Sequence, residues 1–251
     1  MYNNVGNAIL DMKDKLYHRG MKFEAKQWQS TESPDAMWEL LDQVVRFPIN
    51  DIDESMSMCK SNQPWAKDHL LERVGGQPLN PGMEYSNWPF YIKNKSNDKF
   101  RTEKGEKFSH TYMERFWPKY AGEGLNLGIR YKLGDLNDLI DTLEKDPTTR
   151  QGYLPIWFPE DTGAIQTHGQ RVPCTLGYFF IIRGGYIHMS YYIRSCDYLR
   201  HFRDDIYLAL GLLKYIIGKL THDIKPGSFK MVIENLHCFY SEKEVLKQKN
   251  K

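Results

Sequence analysis

Leu176-Gly177-Tyr178-Phe179-Phe180-Ile181-Ile182-Arg183, then Gly184-Gly185, then Tyr186-Ile187-His188-Met189-Ser190-Tyr191-Tyr192-Ile193 is the stretch on which the fold turns. Two apolar runs rich in aromatic and β-branched residues flank a Gly-Gly pair, the pattern of a β-hairpin. Downstream, Asp204 to Leu220 carries the longest helix signal. It is almost apolar through its middle, which implies burial on most sides. Lys225-Pro226-Gly227 reads as a turn and Phe229 to Ile233 as a last strand. Upstream, Tyr153 to Phe158 is strand-like. Gly134-Asp135 opens a helix with Leu136, Leu139, Ile140 and Leu143 on one face, closed by Asp146-Pro147. Trp65 to Val74 reads as a shorter helix stopped by Gly75-Gly76. Ala36 to Val45 also reads as a helix, with Met37, Leu40, Leu41 and Val44 at helical spacing. From Leu79 to Gly105 Pro, Asn, Lys and Gly dominate around Tyr85, Trp88, Phe90 and Tyr91, a long and therefore functional surface excursion. The order predicts an α+β fold, a mixed sheet packed with helices around a long buried helix.

Charge is almost balanced, 34 basic against 32 acidic residues, so nothing points to a nucleic-acid partner. Met1 to Asp11 is mixed and polar, without the pattern of a signal peptide, and no window reaches the apolar length of a membrane span. Four cysteines, Cys59, Cys174, Cys196 and Cys238, are widely spaced without Cys-x-x-Cys or metal-ligand grouping. Free thiols in a reducing cytoplasm, bacterial or phage-infected, are expected.

Cys174 stands between Pro173 and a strand. A nucleophilic cysteine needs positive charge nearby to favour its thiolate. Arg171 lies three residues before it, and Arg194 follows at the end of the partner strand. A lone cysteine is more often a buried structural residue, the reading kept for Cys59, Cys196 and Cys238. In Arg194-Ser195-Cys196-Asp197, the guanidinium fork and the hydroxyl suit a phosphate, although a surface arginine beside a helix-capping serine has the same sequence.

Asp146-Pro147-Thr148-Thr149-Arg150, Trp157, Pro173-Cys174, Arg194-Ser195-Cys196-Asp197, Lys225-Pro226-Gly227-Ser228-Phe229 and His237-Cys238-Phe239 follow in register from about Leu136 onward. Together they resemble the thymidylate synthase superfamily. Before Leu136 the likeness is faint, but Tyr112 in Ser109-His110-Thr111-Tyr112 is similar to the family's active-site tyrosine. The resemblance implies a thymidylate synthase-like catalytic domain over residues 1–251, with Cys174 adding to C6 of a pyrimidine so that C5 attacks the methylene of the cosubstrate 5,10-methylenetetrahydrofolate. It also implies that Arg194 and Ser195 hold the 5′-phosphate, with Asp197 beside them, and that His237 sits by the sugar. The protein would be a homodimer in which Arg150 reaches the phosphate across the interface. For the family's early glutamate, which organises water and proton transfer, Glu72 has the right side chain and Asp68 the more natural spacing before Gly75.

Several positions depart from the synthases. Where they read uracil with an asparagine, this chain has Asp205. A carboxyl group accepts from the N4 amine of cytosine and repels O4 of uracil. Asp204 next to it could exchange roles after a slip of one residue. Thr175 replaces the usual histidine after the nucleophile, and Phe239 replaces a sugar-contacting tyrosine. The chain ends soon after His237, which leads us to expect no C-terminal segment closing over folate, so that water adds to an exocyclic methylene. The pattern resembles the cytidylate hydroxymethylases. The expected reaction is hydroxymethyl transfer to C5 of a cytosine 5′-monophosphate, dCMP ahead of CMP. The alternatives are a CMP enzyme of a nucleoside-antibiotic pathway, a hydride-using thymidylate synthase or cytidylate methyltransferase, and a non-catalytic nucleotide-binding regulator.

Overall fold

The computed structural model describes residues 1–24, 36–90, 108, 110–121, 134–159, 161–162 and 172–248. The chain opens with helix α1 (Val5–Arg19), capped by the Asn4 side chain accepting from the Asn7 amide. Strands β1 (Met21–Phe23) and β2 (Met37–Pro48) follow, then helices α2 (Ile52–Met58) and α3 (Trp65–Val74). Short helices α4 (Tyr112–Phe116) and α5 (Pro118–Ala121) lead to α6 (Leu136–Lys145). The remainder is β3 (Gly152–Pro155), the hairpin β4 (Thr175–Arg183) and β5 (Tyr186–Ile193), the two-residue β6 (Cys196–Asp197), helix α7 (Phe202–Ile217), β7 (Lys225–Phe239) and a 3₁₀ helix (Tyr240–Lys247).

These strands form one sheet in the order β1-β2-β7-β5-β4-β3, with β6 alongside β7. Pairing is antiparallel except for β5 and β6, which run parallel to β7. The sheet is therefore mixed, and α7 is the crossover that makes the parallel β5–β7 pairing possible. As its apolar middle implies, α7 is buried along most of its length, with Phe202, Ile206, Ala209, Leu210, Leu213 and Ile216 fully enclosed. Gly211 lets α3 approach closely, because a Cβ there would collide with the Leu70 side chain.

Two expectations fail for physical reasons. Ala36 to Val45 is strand β2, not a helix. Asp42 adopts φ 55° and has no partner in the ladder, so the alternation of in and out breaks at that residue. The break moves the apolar positions into helix-like spacing, while pairing with β7 from Met37↔Phe239 to Pro48↔Ser228 sets the structure. Lys225-Pro226-Gly227 is the first part of β7, paired with Tyr186 and Ile187. Pro226 is tolerated there because the start of a strand need not offer its N–H. Helix α1 is the element the sequence reading passed over, although Val5, Ala8, Ile9, Met12 and Leu16 form a regular buried stripe. No helix among the described residues is long and apolar enough to cross a membrane. The excursion predicted from Leu79 to Gly105 contains a 3₁₀ turn at Met83–Tyr85, and its part from 91 to 105 lies outside the described residues.

Candidate functional site

The site forms where β4 begins, β5 ends and α7 starts. Cys174, half-buried, directly precedes β4, and its carbonyl accepts from the Arg194 amide at 2.9 Å. The Arg194 side chain turns back on the same segment. Its Nε donates to the Pro173 carbonyl at 2.9 Å and one Nη to the Val172 carbonyl at 3.2 Å, with the guanidinium 5.7 Å from the Trp157 ring centre. Arg194 thus pins the Pro-Cys step and brings its charge beside Cys174. Arg171, the other expected neighbour, lies outside the described residues. Cys59, Cys196 and Cys238 are buried free thiols, in keeping with a structural role.

Tyr112 enters from α4. That helix is held by a capping box, Thr111 to Glu114, whose carboxylate also accepts from Asn80. The Tyr112 oxygen accepts from the Thr175 hydroxyl at 3.1 Å and lies 3.4 Å from its amide. Thr175 is in turn 3.0 Å from the Tyr191 hydroxyl, and Tyr191 stacks on Tyr178. With its oxygen accepting, Tyr112 keeps its own proton for donation elsewhere. Burial pushes this phenol up to about 12, with the Cys174 charge acting in the same direction, so at neutral pH it is a donor.

The neighbouring aspartates part ways on α7. Asp204 is fully buried and bound to Asn62, through the backbone amide at 2.8 Å and the side-chain amide at 2.7 Å. Asp205 instead accepts from the Cys196 thiol at 3.4 Å and lies within electrostatic reach of Tyr112. Burial pushes its carboxyl up to about 7, although the Arg73 guanidinium opposes the shift.

Helix α3 supplies a side of the site that sequence reasoning only partly found. Glu72 is bonded to groups other than Cys174, Tyr112 and Asp205. Its carboxylate accepts from the amides of Met83 and Glu84, with Gly82 packed so close that a side chain there would strike it. Its other oxygen meets His69 Nδ1 at 3.2 Å, and His69 Nε2 accepts from Arg73 Nε at 2.9 Å. Accepting at Nε2 places the imidazole proton on Nδ1, where it donates to Glu72. Burial, reinforced by the Arg73 charge, keeps this histidine neutral at neutral pH. Burial alone would raise Glu72, but the bonds from His69 and the two amides hold it low. Arg73 is buried, with its guanidinium 4.1 Å from the Tyr112 ring centre. Asp68 is exposed on the same helix. Arg73 had no signal in the sequence, because a basic residue in the last turn of a helix is the ordinary partner of the helix dipole.

The other predicted residues take separate places. Ser195 is half-buried beside Arg194. Asp197 caps the turn into α7, accepting from the amides of Leu199 and Arg200, and bonds the Arg200 guanidinium at 3.0 Å. His237 pairs with Asp197 in the β6–β7 ladder, and its Nδ1 is bonded to Asn235 Oδ1 at 3.0 Å, which leaves Nε2 as an acceptor. Burial lowers its pKa against the pull of the Asp197 charge, so the ring is neutral at neutral pH. Arg150 is exposed in the turn between α6 and β3. Among the described residues, no group of three His, Cys, Asp or Glu side chains could hold a metal ion.

A cysteine at a strand start, pinned by an arginine on a mixed sheet around a buried helix, defines a protein with the thymidylate synthase fold. The chain superposes on thermostable thymidylate synthase A from Bacillus subtilis with a TM-score of 0.70 at 16% identity, covering 98% of this chain and 83% of that one. The thymidylate synthase family model matches residues 86–251, and the chain belongs to that family. A putative thymidylate synthase of Methanosarcina barkeri is 26% identical over 137 residues, 55% of this chain and 56% of that protein. The thymidylate synthase of equine herpesvirus 2 is 30% identical over 128 residues, 51% and 39% of the two chains. That of Bos taurus is 26% identical over 183 residues, 63% and 50% respectively. The chain thus spans about half the length, or less, of these curated relatives.

Proposed function

We infer that the protein transfers a one-carbon unit from 5,10-methylenetetrahydrofolate to C5 of a cytosine 5′-monophosphate and releases the hydroxymethyl product. The observation that carries this reading is the division of labour on α7: Asp204 is tied to Asn62, while Asp205 is bonded, among the described residues, only to the Cys196 thiol and lies within electrostatic reach of Tyr112. A carboxylate at that point accepts from the N4 amine of cytosine and repels O4 of uracil.

In this reading the Cys174 thiolate adds to C6, Tyr112 donates a hydrogen bond beside the reacting edge, and Arg194 and Ser195 receive the phosphate. Arg150 of a second subunit completes the phosphate site, and the neutral His237 accepts from a sugar hydroxyl. Asp197 supports these contacts by holding the turn into α7. Glu72 acts through His69 and Arg73, without touching the base. For the folate, the fit lies in a flat wall: Trp88 stacks on His201 at 4.8 Å beside the first turn of α7, with its buried Nε1 unpaired. These two side chains would hold the cosubstrate, which supplies a one-carbon unit at the oxidation level of formaldehyde. The overall change balances: the C5 hydrogen is replaced by CH₂OH, one water is consumed, and tetrahydrofolate leaves without being oxidised.

The relatives' names favour a second reading, methylation of a uracil nucleotide with oxidation of the folate. Incubation with dCMP, CMP or dUMP and methylenetetrahydrofolate separates the two. A hydroxymethylcytosine nucleotide, with dCMP ahead of CMP, is expected. Dihydrofolate formed in step with product, or reaction of dUMP alone, overturns the first reading. Cys174→Ala should abolish tritium release from C5-labelled substrate.

A further inference from the structure

Arg115 and Asp161 form a buried ion pair that the proposed reaction leaves without a role. Arg115 is 2% exposed and Asp161 6%. Their contact is a fork, Nη1 on Oδ2 and Nη2 on Oδ1, each at 2.9 Å. Nη1 also donates to the Ile156 carbonyl at 3.3 Å, and the guanidinium lies 4.5 Å from the Phe158 ring centre. The Phe158 amide donates to the same Asp161 oxygen at 2.8 Å. The buried Arg115 Nε has no hydrogen-bond partner among the described residues. A buried pair of this kind adds little net stability over apolar residues of similar volume, because desolvation offsets the attraction. What a two-bonded fork does supply is direction.

That direction bears on Tyr112. Helix α4 has five residues, too few to sustain a helix alone, so its orientation is set by what its side chains grip. Arg115 lies one turn after Tyr112 and grips the segment that follows β3. This segment is joined to the strand that Cys174 precedes: the amides of Ile156 and Trp157 both donate to the Leu176 carbonyl at 3.0 Å. Leu176 adjoins Thr175, whose hydroxyl donates to the Tyr112 oxygen at 3.1 Å. The bonds close a ring, from Tyr112 through Arg115, Ile156, Leu176 and Thr175 back to Tyr112. Cys174 is the residue before Thr175, so the ring fixes the phenol relative to the thiol. We propose that Arg115 and Asp161 are positioning residues for Tyr112, a role that rests on the reading of Tyr112 as the donor beside the reacting edge. Without the fork, α4 keeps its N-terminal cap but loses its hold on Ile156 and Asp161, and the phenol can tilt about Thr175. A misplacement of about 1 Å at a reacting group costs on the order of 100-fold in rate.

The test is the rate of tritium release from the C5-labelled nucleotide that the protein turns over, dCMP or dUMP, with methylenetetrahydrofolate in excess. Beside it, calorimetry gives the dissociation constant of the same nucleotide. Two variants break the fork differently. In Asp161→Asn the amide nitrogen must face either a guanidinium N–H or the Phe158 amide, donor against donor. Arg115→Met combined with Asp161→Leu replaces the pair by apolar volume, the change more certain to keep the fold. Each should lower kcat at least about tenfold and leave Kd within about twofold, because Arg194 and Ser195 are untouched. Tyr112→Phe should lower kcat too, and in that background neither variant should cost much more, since residues that act through one another are not additive. An undiminished kcat in the fork variants overturns the inference. A loss equally large with and without Tyr112→Phe also overturns it, assigns the pair to the fold alone and leaves the reading of Tyr112 standing. Weaker nucleotide binding at an unchanged rate overturns it in favour of an action through Trp157 on Arg194. Full activity in Tyr112→Phe removes the reading of Tyr112 and the inference with it.

Discussion

At the residue scale, Asp205 carries an internal conflict that can be measured without any substrate. Its carboxyl is pushed up to about 7 by burial, so the folded state binds a proton that the unfolded chain releases near the ordinary carboxylate pKa of about 4. Over that interval the native state holds more protons than the unfolded one, so this group's contribution to stability falls as pH rises from about 4 to 7. Asp205→Asn removes the penalty. It should stabilise the ligand-free protein by on the order of 1–2 kcal/mol at pH 8, with little effect at pH 4, as read by thermal melts. Equal stabilisation at both pH values would mean that the carboxyl is not displaced. Burial raises Asp204 as well, but there the bonds from Asn62 oppose the shift. Its bonds to Asn62 are structural, and Asp204→Ala should destabilise at neutral pH by about 1–3 kcal/mol through the unpaired amide it leaves behind.

At the element scale, the close approach of α3 to α7 rests on Gly211. Glycine inside a helix ordinarily costs about 1 kcal/mol relative to alanine. Gly211→Ala should nevertheless lower the melting temperature, because its methyl would meet Leu70. Combined with Leu70→Ala the loss should be smaller than the sum, the non-additivity expected of residues in contact. A more stable Gly211→Ala protein would show that the close approach does no work. The same junction explains what was legible in the sequence. Helix α7 and the β4–β5 hairpin were readable because their patterns are local: an apolar run too long for a strand, and two runs about a Gly-Gly turn. Cys174 and Arg194 were readable from their positions at the ends of those elements. Strand β2 was not, because its phase break at Asp42 imitates helical spacing and only β7 overrides it. The Glu72–His69–Arg73 chain was half legible. All its members lie on one helix, but Tyr112, over whose ring Arg73 lies, comes from a different helix, which no local pattern announces.

At the scale of the whole molecule, the face of the sheet away from α7 is covered by no described element. Exposed Tyr153 pairs there with half-buried Phe179, and exposed Val44 with half-buried Val232, which pairs in turn with half-buried Tyr192. An apolar face of this kind calls for a partner. It agrees with the proposed homodimer, in which Arg150, exposed just before Tyr153, serves the neighbouring site. Tyr192→Glu should turn a dimer into a monomer in light scattering, with loss of activity. Mixing inactive Cys174→Ala and Arg150→Ala proteins should restore activity through heterodimers that own one complete site. No recovery after subunit exchange would remove Arg150 from the shared role.

Strand β7 has a consequence for the birth of the protein. It is the last strand in the chain and also the seam, joining β2 on one side to β5 on the other. While the chain is being made, the N-terminal ribbon and the C-terminal hairpin are two fragments without a common sheet, however well each is formed. Cys196 and Cys238, both sealed in the finished molecule, stay open to reagents until that seam closes. Their protection during refolding is therefore a clock for the closing step, and it starts before the pocket exists.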